Sequence, residues 1–223
     1  MTLKKTQNTL FATGSGEVDI DSVNALTVHR RKKNAARREL RDVRKLKSAA
    51  EAIQGLDHEH EYYGFTRGKF SLIDLILAIQ RVTGPCHLTI STWTAAQHEL
   101  DTIHTLCQRG DLTGTRWLID FSMARREPAM VAQMRERFDW NNIRVAQIHS
   151  KFQMFQNAEW QVVLRGSMNL NMNPRCEDFT LAHDPELAAF LNTILDELFS
   201  KQPKTLANAK PYDIVKWCNE HET

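Results

Sequence analysis

Runs of apolar residues recur along the chain at two spacings, and these spacings predict helices and strands in alternation. The run at 71–79 (SLIDLILAI) is typical of a helix packed on a core, with Ser71 and Asp74 as its amino-terminal cap and Gly84-Pro85 as its end. Further helices are predicted at 94–109, 127–138 and 184–199, and strands at 86–93, 115–121, 142–156, 160–167 and 179–182.

This order predicts an α/β fold, a mixed sheet flanked by helices on both faces. Its early strands are expected to be parallel, and 142–156 and 160–167 are expected to form an antiparallel hairpin. Ligands of open α/β sheets gather at the carboxyl ends of parallel strands. The residues at those ends, which we expect to be neighbours of a site, are Ser91, Thr92, Trp93, Thr94, Asp120 and Ser122.

The predicted hairpin carries the residues that say most about chemistry. His149 and Lys151 are two positions apart, as are Ser167 and Asn169, so each pair shares one face of a strand. If the reversal centres on Ala158 or on the residue after it, all four side chains fall on the same face. The sequence therefore predicts that an imidazole, an ammonium, a hydroxyl and an amide converge.

These groups suit chemistry at phosphorus. An imidazole can attack the phosphorus atom, while Lys151 and the Asn169 amide donate to the non-bridging oxygens as negative charge builds. A carboxylate at Glu177 can orient the imidazole ring, and Asp178 is the other candidate for this acid. No metal and no cofactor is needed, and none is expected.

The order H-x-K, then G-S-x-N, then an acid resembles the phospholipase D superfamily. The motif of that superfamily also has an Asp after the Lys, where this chain has Gln156, and the spacer to the Gly is longer here; Glu159 is the candidate substitute after an insertion. Tyrosyl-DNA phosphodiesterases of the superfamily keep the His, Lys and Asn without that Asp. The matching residues are His149, Lys151, Gly166, Ser167, Asn169 and Glu177.

The resemblance implies a mechanism and an assembly. Enzymes of the superfamily use two His-Lys-Asn sets around a pseudo-two-fold axis, and this chain carries one, so a homodimer is implied. One His149 would form a phosphohistidine and the second would protonate the leaving oxygen. Lys151 and Asn169 would clamp the phosphate, Ser167 would support it, and Glu177 would hold the imidazole tautomer.

Charge is distributed unevenly over the 223 residues, whose formal net charge is +2. Residues 30–47 contain ten Lys and Arg and two acidic residues, so this segment carries a formal charge of +8 and the rest of the chain a formal charge of −6. Residues 29–54 lack Gly and Pro and predict one long helix with an apolar stripe at Leu40, Val43, Leu46, Ala50 and Ile53. Its expected nucleic-acid-binding residues are Arg30, Arg31, Lys32, Lys33, Arg37, Arg38, Arg41, Arg44 and Lys45.

Alternatives for the basic helix are a solvated face, an anionic membrane surface or a protein partner. The membrane is disfavoured because the stripe has no large aromatic anchors. No apolar run is long enough to span a bilayer, and no secretion signal is apparent. The four widely spaced cysteines fit neither a zinc site nor a disulfide framework. We therefore expect a cytoplasmic protein with no membrane partner.

Three segments make up the predicted organisation: an N-terminal arm with the basic helix at 1–61, a phospholipase D-like domain at 62–200, and a C-terminal tail at 201–223. The run at 57–61 (DHEHE) is expected to be a loop rather than a metal site. The aromatic and basic run at 62–69 is expected to be a loop that either stacks on bases or packs on the domain.

The function predicted from these features is a metal-independent phosphodiesterase or nuclease that acts on nucleic acid, with DNA as the expected substrate, in a site shared by two subunits. The alternative is a DNA- or nucleoprotein-binding dimer that keeps the fold without turnover. Its motives are Gln156 at the position of the superfamily's Asp and the longer spacer to Gly166.

Overall fold

The computed structural model of the chain describes residues 48–146, 148–172 and 174–201. Helices and strands alternate in the first part of the described chain, as the sequence predicts, whereas four strands follow one another in the second part. The helices are α1 (Ala49–Ala52), α2 (Leu72–Thr83), α3 (Gln97–Arg109), α4 (Phe121–Arg126), α5 (Pro128–Phe138) and α6 (Pro185–Lys201), with a 3-10 turn at Trp140–Asn142. The strands are β1 (Glu61–Phe65), β2 (Cys86–Thr92), β3 (Leu112–Asp120), β4 (Ile143–Ala146), β5 (Phe152–Gln156), β6 (Gln161–Gly166) and β7 (Asp178–His183).

The seven strands form one mixed sheet in the order β1-β7-β6-β5-β2-β3-β4. Strands β2, β3 and β4 are parallel, whereas β5, β6, β7 and β1 pair antiparallel. The predicted fold class, with early parallel strands and a later antiparallel hairpin, is confirmed.

Two apolar cores lie on opposite faces of the sheet. The larger core contains side chains from α1, α2, α3 and α5, packed on inward residues of β2 and β3 such as Leu88, Ile90 and Trp117. The smaller core lies under α6, whose Ala188 and Leu195 are fully buried. The sheet side of that smaller core consists of Leu118, Ala146, Phe152, Met154 and Val163.

Helix α2 begins where the sequence predicts. The Asp74 carboxylate accepts hydrogen bonds from the Ser71 backbone N–H and hydroxyl, both at 2.8 Å, which forms the capping arrangement. Gly84, with a φ of +70°, ends the helix in a conformation that favours glycine. The prediction of this helix is confirmed at both ends.

The segment 142–156 is two strands rather than one. β4 lies at the sheet edge beside β3, and β5 lies three positions away in the strand order, beside β2. Both strands are largely apolar because both are buried, and the polar residues 149–151 between them mark the break. Residues 148–151 of the connection cross the carboxyl ends of β3 and β2, since Ile148 N–H donates to Asp120 Oδ2 at 3.1 Å and Ser91 Oγ donates to Ser150 O at 3.0 Å.

Two further elements differ from the prediction. Residues 62–69 were expected to be a loop, but β1 begins the run and pairs with β7 at the edge of the sheet. Its alternate side chains Tyr63 and Phe65 are 65% and 44% exposed, so the strand lacks the buried face that makes strands recognisable. Helix α4 follows β3 without a loop, because Asp120 caps it by accepting from Ser122 N–H at 2.9 Å.

The predicted helix at 29–54 is not continuous in its described part. Ser48 has extended dihedral angles and caps α1, and Ala50, predicted on the apolar stripe, is exposed, although Ile53 is buried. Residues 29–47 and the tail at 202–223 lie outside the described residues. The domain boundaries stay a prediction; Ala49 and Ile53 nevertheless belong to the larger core, so its packing reaches into the segment assigned to the arm.

The acidic run at 57–61 forms a bend up to the first residue of β1. Asp57 Oδ1 accepts from the backbone N–H groups of Glu59 and His60, both at 2.9 Å, which closes the turn. Among the described residues, no helix combines the length and apolarity required to cross a bilayer.

Candidate functional site

The candidate residues gather where β2, β3 and the hairpin end. His149 and Lys151 lie on the connection before β5, Ser167 follows β6, and Asp178 begins β7. All four line one open pocket with a volume of about 970 Å³. The change of chain direction between parallel and antiparallel strands creates this opening, as is usual for ligand sites of α/β sheets.

Lys151 contacts His149 directly. Its Nζ lies 3.2 Å from His149 Nδ1 and donates to His149 O at 3.0 Å. Burial lowers the pKa of the Lys151 ammonium from its ordinary value, and the negative charges of Glu177 and Asp120 oppose that effect without cancelling it. His149 itself is exposed, so its imidazole and the ammonium are presented together at the pocket mouth.

Ser167 and Glu177 form a second pair beside the first. Ser167 Oγ donates to Glu177 Oε2 and accepts from the Asp178 backbone N–H at 3.1 Å. Thr66 ties the acid to the end of β1, because Thr66 N–H donates to Glu177 O at 2.8 Å and Thr66 Oγ1 accepts from Glu177 N–H at 3.1 Å. The acid predicted to orient the imidazole thus supports the serine, while the hydrogen bond at His149 Nδ1 involves Lys151.

Asn169 lies in a different recess from the other three predicted residues. It lines a small cavity with Ser71 and Glu177, and its Oδ1 is enclosed with no hydrogen-bond partner among the described residues. The next residue anchors this segment to the end of β2, since Leu170 N–H donates to Thr92 Oγ1 and to Thr94 O, both at 3.2 Å. Glu177 lines this cavity and also bonds Ser167, so Asn169 lies next to the Ser167–Glu177 pair.

The predicted strand register, which would place all four side chains on one face of the hairpin, is wrong. Phe152 pairs with Arg165, so the hairpin reverses between Ala158 and Glu159 rather than on either residue. The ladder also ends before His149 on one side and at Gly166 on the other. The start of β5 and the end of β6 lie at the same edge of the sheet, which brings His149, Lys151 and Ser167 to one pocket. The three residues do not share a strand face.

Asp120 holds the connection that carries His149. The residue is only 7% exposed, and its carboxylate accepts from Ser122 N–H, Ser122 Oγ and Ile148 N–H. Ser91 fixes the other side of His149 through hydrogen bonds with Ser150. Asp120, Ser122 and Ser91 belong to the neighbours predicted from the carboxyl ends of the strands, and the structure places them in these contacts.

Trp93 and Arg126 extend the site along α4. The Trp93 ring centroid lies 5.7 Å from that of His149, and the Arg126 guanidinium carbon lies 3.9 Å from the Trp93 centroid. Arg126 Nη1 also donates to Ser122 Oγ at 3.1 Å. Sequence reasoning nominated Trp93 but missed Arg126, whose only signal was its place four residues after Ser122 on a helix that was not predicted.

The pocket itself has a polar end and an apolar wall. Arg165, the last residue before Gly166, is exposed and lines the polar end, and sequence reasoning missed it too. Helix α6 supplies the apolar wall through Leu187, Phe190 and Leu191.

Gly166 is required by a close backbone approach. A Cβ added at this position would lie 2.2 Å from the Asp178 backbone oxygen, far inside any real contact. The glycine of G-S-x-N thus lets β6 and β7 bring Ser167 against Asp178.

Gln156, the departure from the superfamily motif, lies at the far end of the hairpin. It donates to Gln161 Oε1 at 2.7 Å, and Glu159 is exposed in the turn. Gln156 lies four strand positions from Phe152 at the site end, a distance of about 13 Å. The substitution of Gln for Asp therefore removes no side chain from the pocket.

Metal-ligating side chains do not cluster in threes anywhere among the described residues. The charged groups around the pocket are instead two cations, Lys151 and Arg165, with Asp178 beside them.

Comparisons with known proteins give structural likenesses at low identity. No family model and no curated protein matches the chain. It is similar to NucT from Helicobacter pylori, with 11% identity and a TM-score of 0.45, over 63% of this chain and 97% of that one. It is also similar to a polyphosphate kinase from Porphyromonas gingivalis, with 11% identity and a TM-score of 0.49, over 69% of this chain and 29% of that one.

A third similar structure is a phosphatidylserine synthase from Haemophilus influenzae Rd KW20, with 17% identity and a TM-score of 0.48, over 78% of this chain and 46% of that one. The chain thus spans less than half of the length of the kinase and of the synthase.

Proposed function

We propose that the chain is a metal-independent phosphodiesterase of the phospholipase D type that acts on nucleic acid, with DNA as the expected substrate, through a phosphohistidine at His149. The observation that supports the proposal most is the contact between His149 Nδ1 and Lys151 Nζ at 3.2 Å, at the mouth of a pocket that also holds Ser167. A nucleophile and a cation for the phosphate oxygens are thereby adjacent.

The Lys151 contact bears on how the imidazole becomes reactive. An ammonium has only donors, so the ring nitrogen that it touches carries the lone pair, and a neutral ring then has its proton on the other nitrogen. The lone pair needed for attack is engaged with Lys151 in this arrangement. A phosphodiester anion competes with the ring for the Lys151 ammonium. Substrate binding therefore frees the lone pair of the ring and brings the cation to the phosphate.

The reaction then runs in two displacements. A His149 ring nitrogen forms a bond to phosphorus as the bond from phosphorus to the leaving oxygen breaks, and a second His149, from another copy of the chain, gives that oxygen a proton. Water next attacks phosphorus, the P–N bond breaks, and the same second His149 takes the proton of the water. Lys151 balances charge on the non-bridging oxygens, and Ser167, held by Glu177, is placed to support them.

The dimer belongs to this proposal because the chemistry needs two imidazoles and the motif supplies one. Two copies related by a two-fold axis would bring one His149 to each side of a single phosphate. The substrate class rests on the basic segment at 30–47, which carries +8 and lies outside the described residues.

The alternative of a nucleic-acid-binding dimer without turnover rests on Gln156 and on the longer spacer to Gly166. Gln156 lies about 13 Å along the strand from the pocket and bonds to Gln161, so its replacement of an Asp removes no group from the site. Binding without cleavage is therefore an outcome of the test below rather than a second proposal.

The experiment is hydrolysis of a labelled oligonucleotide in EDTA across a range of pH. We expect cleavage that magnesium does not increase, with an alkaline limb below the pH at which ordinary lysines titrate, because burial lowers the pKa of Lys151 and the clamp needs its protonated form. Cleavage that strictly requires magnesium, or binding without any cleavage, would rule out the proposed mechanism.

A matched variant identifies the group behind the alkaline limb. Lys151→Arg keeps a positive charge that does not titrate in the accessible range. Its rate is expected to be lower because the guanidinium has a different shape, but its alkaline limb should move upward or disappear. An unchanged limb in this variant would assign the titration to another group.

A further inference from the structure

Arg126 is a cation next to the candidate nucleophile that the two-displacement mechanism does not use. Its guanidinium carbon lies 3.9 Å from the centroid of Trp93, and the same indole lies 5.7 Å from the His149 ring. Arg126 is exposed, so its guanidinium is accessible to a ligand. One indole ring therefore contacts both the imidazole and the guanidinium.

The pose of Arg126 is fixed by the same carboxylate that fixes the His149 connection. Arg126 Nη1 donates to Ser122 Oγ at 3.1 Å, Ser122 Oγ donates to Asp120, and the other oxygen of Asp120 accepts from Ile148 N–H at 3.1 Å. Asp120 is 7% exposed, so this anchor is rigidly enclosed. The positions of the arginine and of the nucleophile are coupled through one buried group.

The Arg126 guanidinium has further N–H donors available for a ligand. It carries five N–H donors in a planar fork that suits phosphate oxygens, and Arg126 uses only its bond to Ser122 in hydrogen bonding to the described residues. Lys151 is the cation placed at the reacting phosphate. A nucleic-acid strand carries a further negative charge at every nucleotide, so an additional fixed cation beside the nucleophile matches a chain rather than an isolated diester.

We propose that Arg126, held on Trp93, is a second phosphate-binding position that takes the phosphate next to the one at His149. The site consequently selects a phosphodiester chain over a single phosphodiester. This inference rests on the proposed function and deepens it, since it identifies a residue beside the pocket that recognises the polymer.

The test compares Arg126→Gln with Arg125→Gln. Arg125 lies on the same helix, but its guanidinium faces the Phe121 ring at 5.7 Å, so its replacement removes the same charge away from Trp93. Each variant is assayed on a single-stranded oligonucleotide and on bis(p-nitrophenyl) phosphate. For Arg126→Gln we expect a loss of about 10-fold in kcat/KM on the oligonucleotide, mainly through KM, and an unchanged value on the small diester, because only a charge-assisted contact to the neighbouring phosphate is lost.

A merely structural Arg126 gives a different result. If the arginine only supported Trp93 and His149, its loss would slow both substrates equally, and this outcome would overturn the inference, as would equal losses in the two variants. Arg126→Lys, which retains a charge, should recover part of the oligonucleotide affinity.

Binding separates failure of this inference from failure of the proposed function. Fluorescence anisotropy of the same oligonucleotide in EDTA reports on Arg126 even if the wild-type chain cleaves neither substrate, a result that would reject the enzyme. Weaker binding by Arg126→Gln than by Arg125→Gln supports the second phosphate position, and equal binding by the two variants contradicts it.

Discussion

His149→Ala abolishes cleavage of an oligonucleotide in EDTA while the variant still binds it. We expect a rate loss of at least about 1,000-fold, because the substitution removes both the nucleophile and, in the second subunit, the general acid. Affinity should fall little, since the phosphate contacts come from Lys151 and from the basic segment. Single-turnover cleavage and fluorescence anisotropy on the same preparation measure the two effects.

The control for this variant is His98→Ala. His98 is exposed on α3, and its hydrogen bond to Thr102 is made by its backbone oxygen, so its side chain can be removed without disturbing the fold. This control should cleave at the wild-type rate. Residual cleavage by His149→Ala within about 10-fold of wild type would assign the nucleophile to another group.

Neutralising the basic segment has the second large effect, on affinity rather than on chemistry. With Arg37, Arg38, Arg41 and Arg44 replaced by Gln, we expect weaker DNA binding at low salt and a flatter dependence of affinity on salt. Each lost phosphate contact lowers the slope of log K against log salt by about 0.9 for duplex DNA and about 0.7 for a single strand. A salt titration of binding measures this slope directly.

A matched pair of substitutions separates local from general charge effects. Arg81 and Arg109 are exposed on α2 and α3, away from the pocket, and their replacement by Gln changes the net charge as much as replacement of Arg37 and Arg38. The distant pair should leave the slope unchanged. Equal slopes for the two double variants would remove the nucleic-acid role from the basic segment.

The sequence predicts the fold well where local signals and tertiary burial agree. Helix α2 begins at a capping pair and ends at a glycine with positive φ, and both signals are local. The break between β4 and β5 has no cap or glycine to mark it, and Val145 and Phe152 on its two sides are apolar for the same reason, burial in a sheet. Strand β1 was missed because Tyr63 and Phe65 stay exposed at an edge.

The candidate site is predictable in its residue types more than in its geometry. The motif identified His149, Lys151 and Ser167, and the structure places all three around one pocket. The assumed strand register was wrong, and convergence depends instead on the connection that Asp120 anchors.

Contacts made by the folded chain explain what the sequence could not reveal. Arg126 reaches Trp93 only because α4 follows β3 without a loop. Glu177 bonds Ser167 because β1 holds its backbone through Thr66. Such contacts between distant segments leave no trace in local spacing.

The central claim is that His149 forms a covalent bond to phosphorus, and intact-protein mass spectrometry of a quenched reaction tests it most directly. Enzyme in excess over a short oligonucleotide in EDTA, quenched in base, should carry the mass of one cleavage product, and peptide mapping should place it on His149. The adduct should be absent from His149→Ala. Cleavage that proceeds with no adduct at any time point, or an adduct on another residue, would contradict the account.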